Sequence, residues 1–402
     1  MKSDFMQSKA IRRPLSLSIG LSALGNMNAM LFLYYVSFAL FLIGNCAAST
    51  TSTNELIPSF KLGCQLVAIA FLMLKLTFDR FGLKQLALFV PVSLAFGYSG
   101  YVSSDYSLLW GWLFIVTGSG AKLSDLARIA LLIFGSSLLI TVGLALAGAI
   151  PNPVIYRGDT PYYTYGFTHI NALGLNIYEV IIALMVLRFP SYTVADYLYC
   201  IAAFLLTLIA TGSRTSMLCV MVAFLMIAIV KSGFASKHER GLLRAVELLF
   251  VFEVLFSLCF LFVDPSAGGI FGVLDKLLSN RIYYAHYYAQ NYGIGLFGCN
   301  LESIETLSPA GYWFSGFVID NAYCHAILVN GLIPYLIMVA LIYRCYRSMR
   351  MEGHFTSLVM TMTLFSFIGV SEASALNFYT AYALLALTPT FFGSSFNSVG
   401  GE

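Results

Sequence analysis

The run TGSRTS, from Thr211 to Ser216, sets Arg214 in a tight polar turn between two apolar segments. A guanidinium held there is partly desolvated and offers a planar fork of donors to a phosphate or carboxylate. The plainer alternative is an arginine that anchors a helix end by snorkelling to a membrane surface. Arg281 opens a second stretch, NRIYYAHYYAQNYGIGLFG, from Asn280 to Gly298. Its tyrosines at 283, 284, 287 and 288 recur at helical spacing, and Tyr284 and Tyr288 share a face one turn apart. Such a face suits stacking on sugar rings, or equally an aromatic belt at a membrane interface. Arg157 lies in PNPVIYRGDT (Pro151 to Thr160), where Asp159 is its simplest surface partner.

His169 and Asn171 occur in GFTHINALG, from Gly166 to Gly174. A neutral imidazole there could orient a hydroxyl or accept its proton, or it could cap the helix that follows. In IDNAYCHAILVNG (Ile319 to Gly331), Asn321 and His325 are four residues apart on one helix face, with Asp320 at the helix mouth. An acid in that place also simply suits the positive end of a helix dipole. Glu179 and Glu372 stand within or beside apolar segments, where an ionisable group faces a cavity or a partner. No nucleotide-binding loop, nucleophile elbow or metal-ligand cluster occurs, so no cofactor or metal is expected, and a reaction here would draw its energy from the substrate. The eight cysteines are scattered with no CxxC pair, which supports neither a zinc site nor a disulfide framework.

These residues must be positioned by a membrane scaffold. Of 402 residues, 59% are hydrophobic and 10% charged, and the mean hydropathy is +0.82; a soluble chain could not hide that much apolar surface. A net charge of +3 is too small to suggest nucleic acid as a partner. Twelve apolar runs, from about Met27 to Ile43 through to Asn377 to Phe392, predict an all-α polytopic membrane protein in one integral domain spanning residues 1–402. The tenth run is Ala322 to Tyr343, and the short run Tyr106 to Gly118 is the weakest.

With the amino terminus in the cytoplasm and sides alternating, sixteen of the 22 Lys and Arg fall inside, while Arg157, Arg214, Lys276 and Arg281 fall outside. The positive-inside rule then places both termini in the cytoplasm of a multi-pass plasma membrane protein. Most connections are short, but the segment 264–318, between helices 9 and 10, is roughly 55 residues long against a usual 4 to 6, and long loops on a compact scaffold carry function. No internal repeat is present.

The order of GFTHINALG, TGSRTS, an arginine ahead of YGIGLFG, and DNAYCHAILVNGLIPYL resembles the bacterial O-antigen polymerase and ligase superfamily, most of all the Wzy-type capsular or exopolysaccharide repeat-unit polymerases. The motifs span Gly166 to Leu336, while the first 150 residues match only as hydrophobic helices. The resemblance implies a GT-C-like membrane glycosyltransferase that moves an undecaprenyl-diphosphate-linked glycan onto an incoming lipid-linked repeat unit. It further implies Arg214 and Arg281 on the diphosphate, and a flippase and a chain-length regulator as partners beside the lipid bilayer. His169, Asp320 and His325 are then candidates to activate the acceptor, and Arg157, Tyr284, Tyr288 and Asn321 candidates to bind substrate. Ligases of the superfamily usually carry His-Asn where this chain has Asp320 and Asn321, which favours a polymerase and leaves the base open. A lipid-linked oligosaccharide flippase or other transporter is the competing class; its mark would be paired halves with helices broken at matching places.

Overall fold

The structure, a computed structural model, describes residues 29–52, 56–79, 81–157, 159–301, 304–377 and 382–386. The basic stretch with Lys2, Lys9, Arg12 and Arg13, and most of the run Asn377 to Phe392, lie outside the described residues. In hydrocarbon a chain must satisfy its own backbone hydrogen bonds, so long apolar runs become helices. Among the described residues, eight helices are long and apolar enough to cross a membrane: α1 (Ala29–Ala48), α2 (Leu56–Phe78), α3 (Leu83–Ser103), α5 (Leu123–Leu146), α6 (Ile170–Arg188), α8 (Arg214–Lys231), α9 (Glu239–Phe262) and α13 (Leu332–Glu352). Three shorter apolar helices accompany them: α4 (Ser107–Thr117), α7 (Val194–Ala210) and α14 (Ser357–Gly369). The chain is an all-α polytopic membrane protein, and these eleven helices account for the first eleven apolar runs.

Contacts between helix ends sort the connections onto two faces. On one, Thr51 N–H donates to Gly166 O at 2.8 Å, Thr168 N–H to Ser49 O at 2.8 Å, and Asn300 Nδ2 to Ser104 Oγ at 3.1 Å. On the other, Lys122 N–H donates to Tyr35 Oη at 3.0 Å, Arg188 pairs with Asp196, and Arg350 Nε lies 2.9 Å from Glu247 Oε2. Both long segments, 147–169 and 263–321, lie on the first, here called the loop face.

The long segment is folded. After a turn at Pro265–Ala267 it forms α10 (Gly269–Leu277), α11 (Arg281–Tyr292) and an antiparallel hairpin of β3 (Glu305–Leu307) with β4 (Trp313–Ser315). The tyrosine spacing anticipates α11. A second hairpin, β1 (Val154–Arg157) with β2 (Thr160–Tyr163), occupies the shorter segment. Neither hairpin announces itself in the sequence, because strands of three or four residues leave almost no alternation to detect.

The tenth apolar run departs from the expected continuous helix. The chain forms one helical turn, α12 (Ala322–His325), loosens into a π turn over Ala326–Asn330, and breaks at Gly331, where φ is +97°. The segment Gly293–Cys299 fills the break. Leu332 N–H donates to Gly295 O and Ile333 N–H to Leu296 O, both at 3.0 Å, while Cys299 N–H donates to Val329 O at 3.2 Å. Backbone lies on backbone here, so Gly298, with φ +86°, has no room for a side chain: an added Cβ would run into the Val329 carbonyl.

Gly311, with φ +85°, offers a control, since no atom lies within 4 Å of where its Cβ would stand. Gly311→Ala should cost about 1 kcal/mol, for backbone conformation alone. Gly298→Ala should cost about 3 kcal/mol or more, because the backbone of the break must also shift. Thermal unfolding in detergent measures both, and equal losses would contradict the packing at the break.

Candidate functional site

The motifs GFTHINALG and TGSRTS meet in space. Gly174, in the second turn of α6, packs so closely on the start of α8 that an added Cβ would lie 2.9 Å from Ser216 Cβ. Ser213 caps α8, its Oγ accepting from Ser216 N–H and lying 3.1 Å from Ser216 Oγ. Gly212, with φ +54°, is covered by Tyr162 of β2, whose Cζ would be 2.5 Å from an added Cβ. Small residues in both motifs therefore serve close approach. Arg214 is the first residue of α8; its side chain is exposed and makes no ion pair among the described residues.

Arg281 is likewise the first residue of its helix, α11. Its Nη2 donates to Asp320 Oδ2 at 3.0 Å and its Nη1 to Leu278 O at 3.2 Å. The buried Nε makes no hydrogen bond among the described residues. Arg281 is 10% exposed and Asp320 42%, so the pair has a buried cation and an accessible anion. Two residues called from sequence, 39 positions apart, are thus joined directly.

Asn321 holds Asp320 in place. Its Nδ2 donates to Ser257 Oγ of α9 and to Val370 O beyond α14, both at 2.9 Å, and its Oδ1 accepts from Cys324 N–H at 2.9 Å. With its amide engaged in this way and the side chain buried, Asn321 acts as a brace between helices. One turn deeper, Tyr323 Oη donates to Ser366 O at 3.1 Å and lies 3.4 Å from Glu253 Oε2, extending the brace along α9. Glu372 follows α14, and both it and Arg281 act electrostatically on the buried Cys219 thiol of α8. Cys219 lies in the second turn of the helix that Arg214 begins, so Arg281 and Glu372 are within electrostatic reach of that turn.

His169 caps α6, its Nδ1 accepting from Asn171 N–H at 3.1 Å. In that arrangement the neutral ring carries its proton on Nε2 and acts there as a donor. Arg157 ends β1 opposite Thr160. Tyr288 is fully buried: its Oη lies 2.7 Å from Thr306 Oγ1 and accepts from Val318 N–H at 3.0 Å, which binds α11 to the β3–β4 hairpin. Tyr284 is half-buried against Phe314, and burial pushes its hydroxyl up to about 12. The more open aromatic pair is Tyr283 stacked on Tyr287, with centroids 6.1 Å apart.

His325 belongs to a different group. Its ring packs against Phe317 and lies in electrostatic reach of Asp105, whose Oδ2 accepts from Asn330 Nδ2 at 3.3 Å. Nothing local in the sequence marks Asp105, whose partner Asn330 is 225 residues away. Glu179 sits at the centre of α6, nine residues from either end, buried and without an ion pair among the described residues.

The loop face therefore carries two arginines at helix starts, where the backbone amides also attract anions, together with Asp320 and Glu372. That combination can hold a polyanionic group and take a proton nearby. Among the described residues no three His, Cys, Asp or Glu side chains are placed to hold a metal ion.

The brace and the free cation respond differently to truncation. Asn321→Ala strips partners from two buried groups and one half-buried carbonyl and should cost about 2 to 4 kcal/mol, whereas Arg214→Ala should stay within about 0.5 kcal/mol. Unfolding in detergent distinguishes them; a comparable loss at Arg214 would mean that its side chain is structural.

Comparison with known proteins finds no matching family model, no similar curated protein and no similar solved structure.

Proposed function

We propose that the chain is a polysaccharide repeat-unit polymerase of the plasma membrane, with the loop face outside, both termini in the cytoplasm and about twelve spans in a GT-C-like outline. One observation carries this reading: two arginines, each the first residue of a helix, sit on the face that also bears the long folded segment. Guanidinium groups aimed at developing negative charge stabilise a diphosphate leaving group without a metal. The resemblance of the motifs from Gly166 to Leu336 supplies the substrate class, an undecaprenyl-diphosphate-linked glycan, and a flippase and chain-length regulator as partners.

In this reading Arg281 exchanges Asp320 for a phosphate oxygen when the lipid diphosphate binds, with Arg214 as the second clamp. The exchange frees the accessible Asp320 carboxylate. An acceptor hydroxyl attacks the anomeric carbon of the growing chain, its proton passes to a carboxylate, Asp320 or Glu372, and the bond to the diphosphate breaks. His169, at the start of α6 on the same face, is the candidate to orient a sugar hydroxyl, and the Tyr283–Tyr287 pair offers the more accessible aromatic surface.

The break at Gly331 favours a second reading, a transporter, since broken helices are common there. Purified protein given one defined lipid-linked repeat unit should produce a ladder of longer glycans. Arg214→Ala and Arg281→Ala should each reduce it by roughly 10²-fold while the protein stays folded. Movement of the unit between leaflets with no ladder would replace the polymerase by the transporter.

A further inference from the structure

We propose that α10 is a membrane-surface helix: its apolar stripe seats in the phospholipid leaflet on the loop face and fixes the height of Arg281 above the hydrocarbon. The placement stands whether the protein is a transferase or a transporter.

The sequence of α10 is GIFGVLDKL. Ile270, Val273 and Leu277 follow at i, i+3 and i+7, the spacing of one helix face, and are 72%, 61% and 63% exposed. Three large aliphatic side chains bared on nine residues would be costly in water. They are placed to meet lipid. The preceding α9 bares Leu248, Phe252, Leu255 and Phe262, and only six residues, 263–268, separate it from α10. Six residues reach at most about 20 Å, and the turn at Pro265–Ala267 shortens that. The exposed stripe therefore begins within that reach of the place where a spanning helix with a bare outer side leaves the bilayer. Lys276, exposed beside Leu277, is positioned for a headgroup phosphate.

The opposite side of α10 is built into the protein. Asp275 is buried, and its Oδ1 accepts from Ile282 N–H at 2.8 Å and Tyr283 N–H at 3.0 Å, while its carbonyl accepts from Asn280 N–H at 2.8 Å. Burial raises the Asp275 carboxyl, with the two amide bonds working against it. Those amides belong to the first turn of α11, the turn that Arg281 begins. A helix seated in the headgroup layer and bonded in this way holds the guanidinium at the level of a lipid phosphate.

The test places bimane on Val273→Cys in full-length protein whose exposed Cys259 is replaced by Ala, in phosphatidylcholine and phosphatidylglycerol nanodiscs carrying doxyl labels at carbon 5 or carbon 12. Phe252→Cys, mid-way along α9, and Asp159→Cys, at the β1–β2 turn, give the deep and aqueous references. Position 273 should lose most emission to the carbon-5 label and little to aqueous iodide, whereas position 252 responds most to carbon 12 and position 159 only to iodide. Iodide-dominated quenching at 273 would put the stripe in water and overturn the proposal. Strongest quenching by carbon 12 would make α10 an inserted helix and overturn it as well.

Discussion

A helix that breaks inside a bilayer frees amides that lipid cannot satisfy, and the answer at Gly331 governs the loop face. The freed groups of Val329, Leu332 and Ile333 are taken up by Gly295, Leu296 and Cys299, so the end of the long segment is bonded into the scaffold. From that point backward the chain reaches α11, whose Tyr288 is tied to the β3–β4 hairpin; forward it reaches α12, whose cap Asn321 is tied to α9 and α14. Arg281 and Asp320 lie on these two arms. Their meeting follows from a backbone requirement more than from their own attraction, which across a half-exposed pair is modest.

Electrostatics adds a second constraint. A cation on the first residue of a helix stands at the positive end of the dipole, the wrong end for it. Arg214 and Arg281 both accept this position. Arg281 is compensated by Asp320, while Arg214 makes no ion pair among the described residues. Their setting separates these arginines from Arg188 and Arg350, whose pairs with Asp196 and Glu247 knit the opposite face.

Much of this is legible in the sequence where the signal is periodic or compositional. Apolar runs give the helices, rare basic residues between them give Arg214 and Arg281, and tyrosine spacing gives α11. What escapes is set by distant partners. Tyr288 has the same local spacing as Tyr284, yet it is consumed by Thr306 and Val318. Asn321 looks like a ligand beside Asp320, yet all its bonds are internal. His325 shares a motif with Asp320 but packs on Phe317, and Gly331 marks a bend without revealing that residues 293–299 fill it. Each depends on residues outside its own motif, and a linear pattern carries no information about which side of a helix will find them.

The brevity of α4 bears on the kind of bilayer the protein fits. Eleven residues rise about 16 Å, half the usual hydrocarbon depth, and Gly111 to Thr117 are all buried. Shielded by its neighbours, α4 never meets lipid along that stretch and imposes no thickness on it. The fit falls to α2, α5 and α9, which at 23 or 24 residues are about 35 Å long. At that length they can cross about 30 Å of hydrocarbon with their charged ends, such as Glu239 and Arg240 of α9 or Asp125 and Arg128 of α5, among the headgroups, so the membrane thickness is met at those ends and leaves the core that α4 occupies undisturbed.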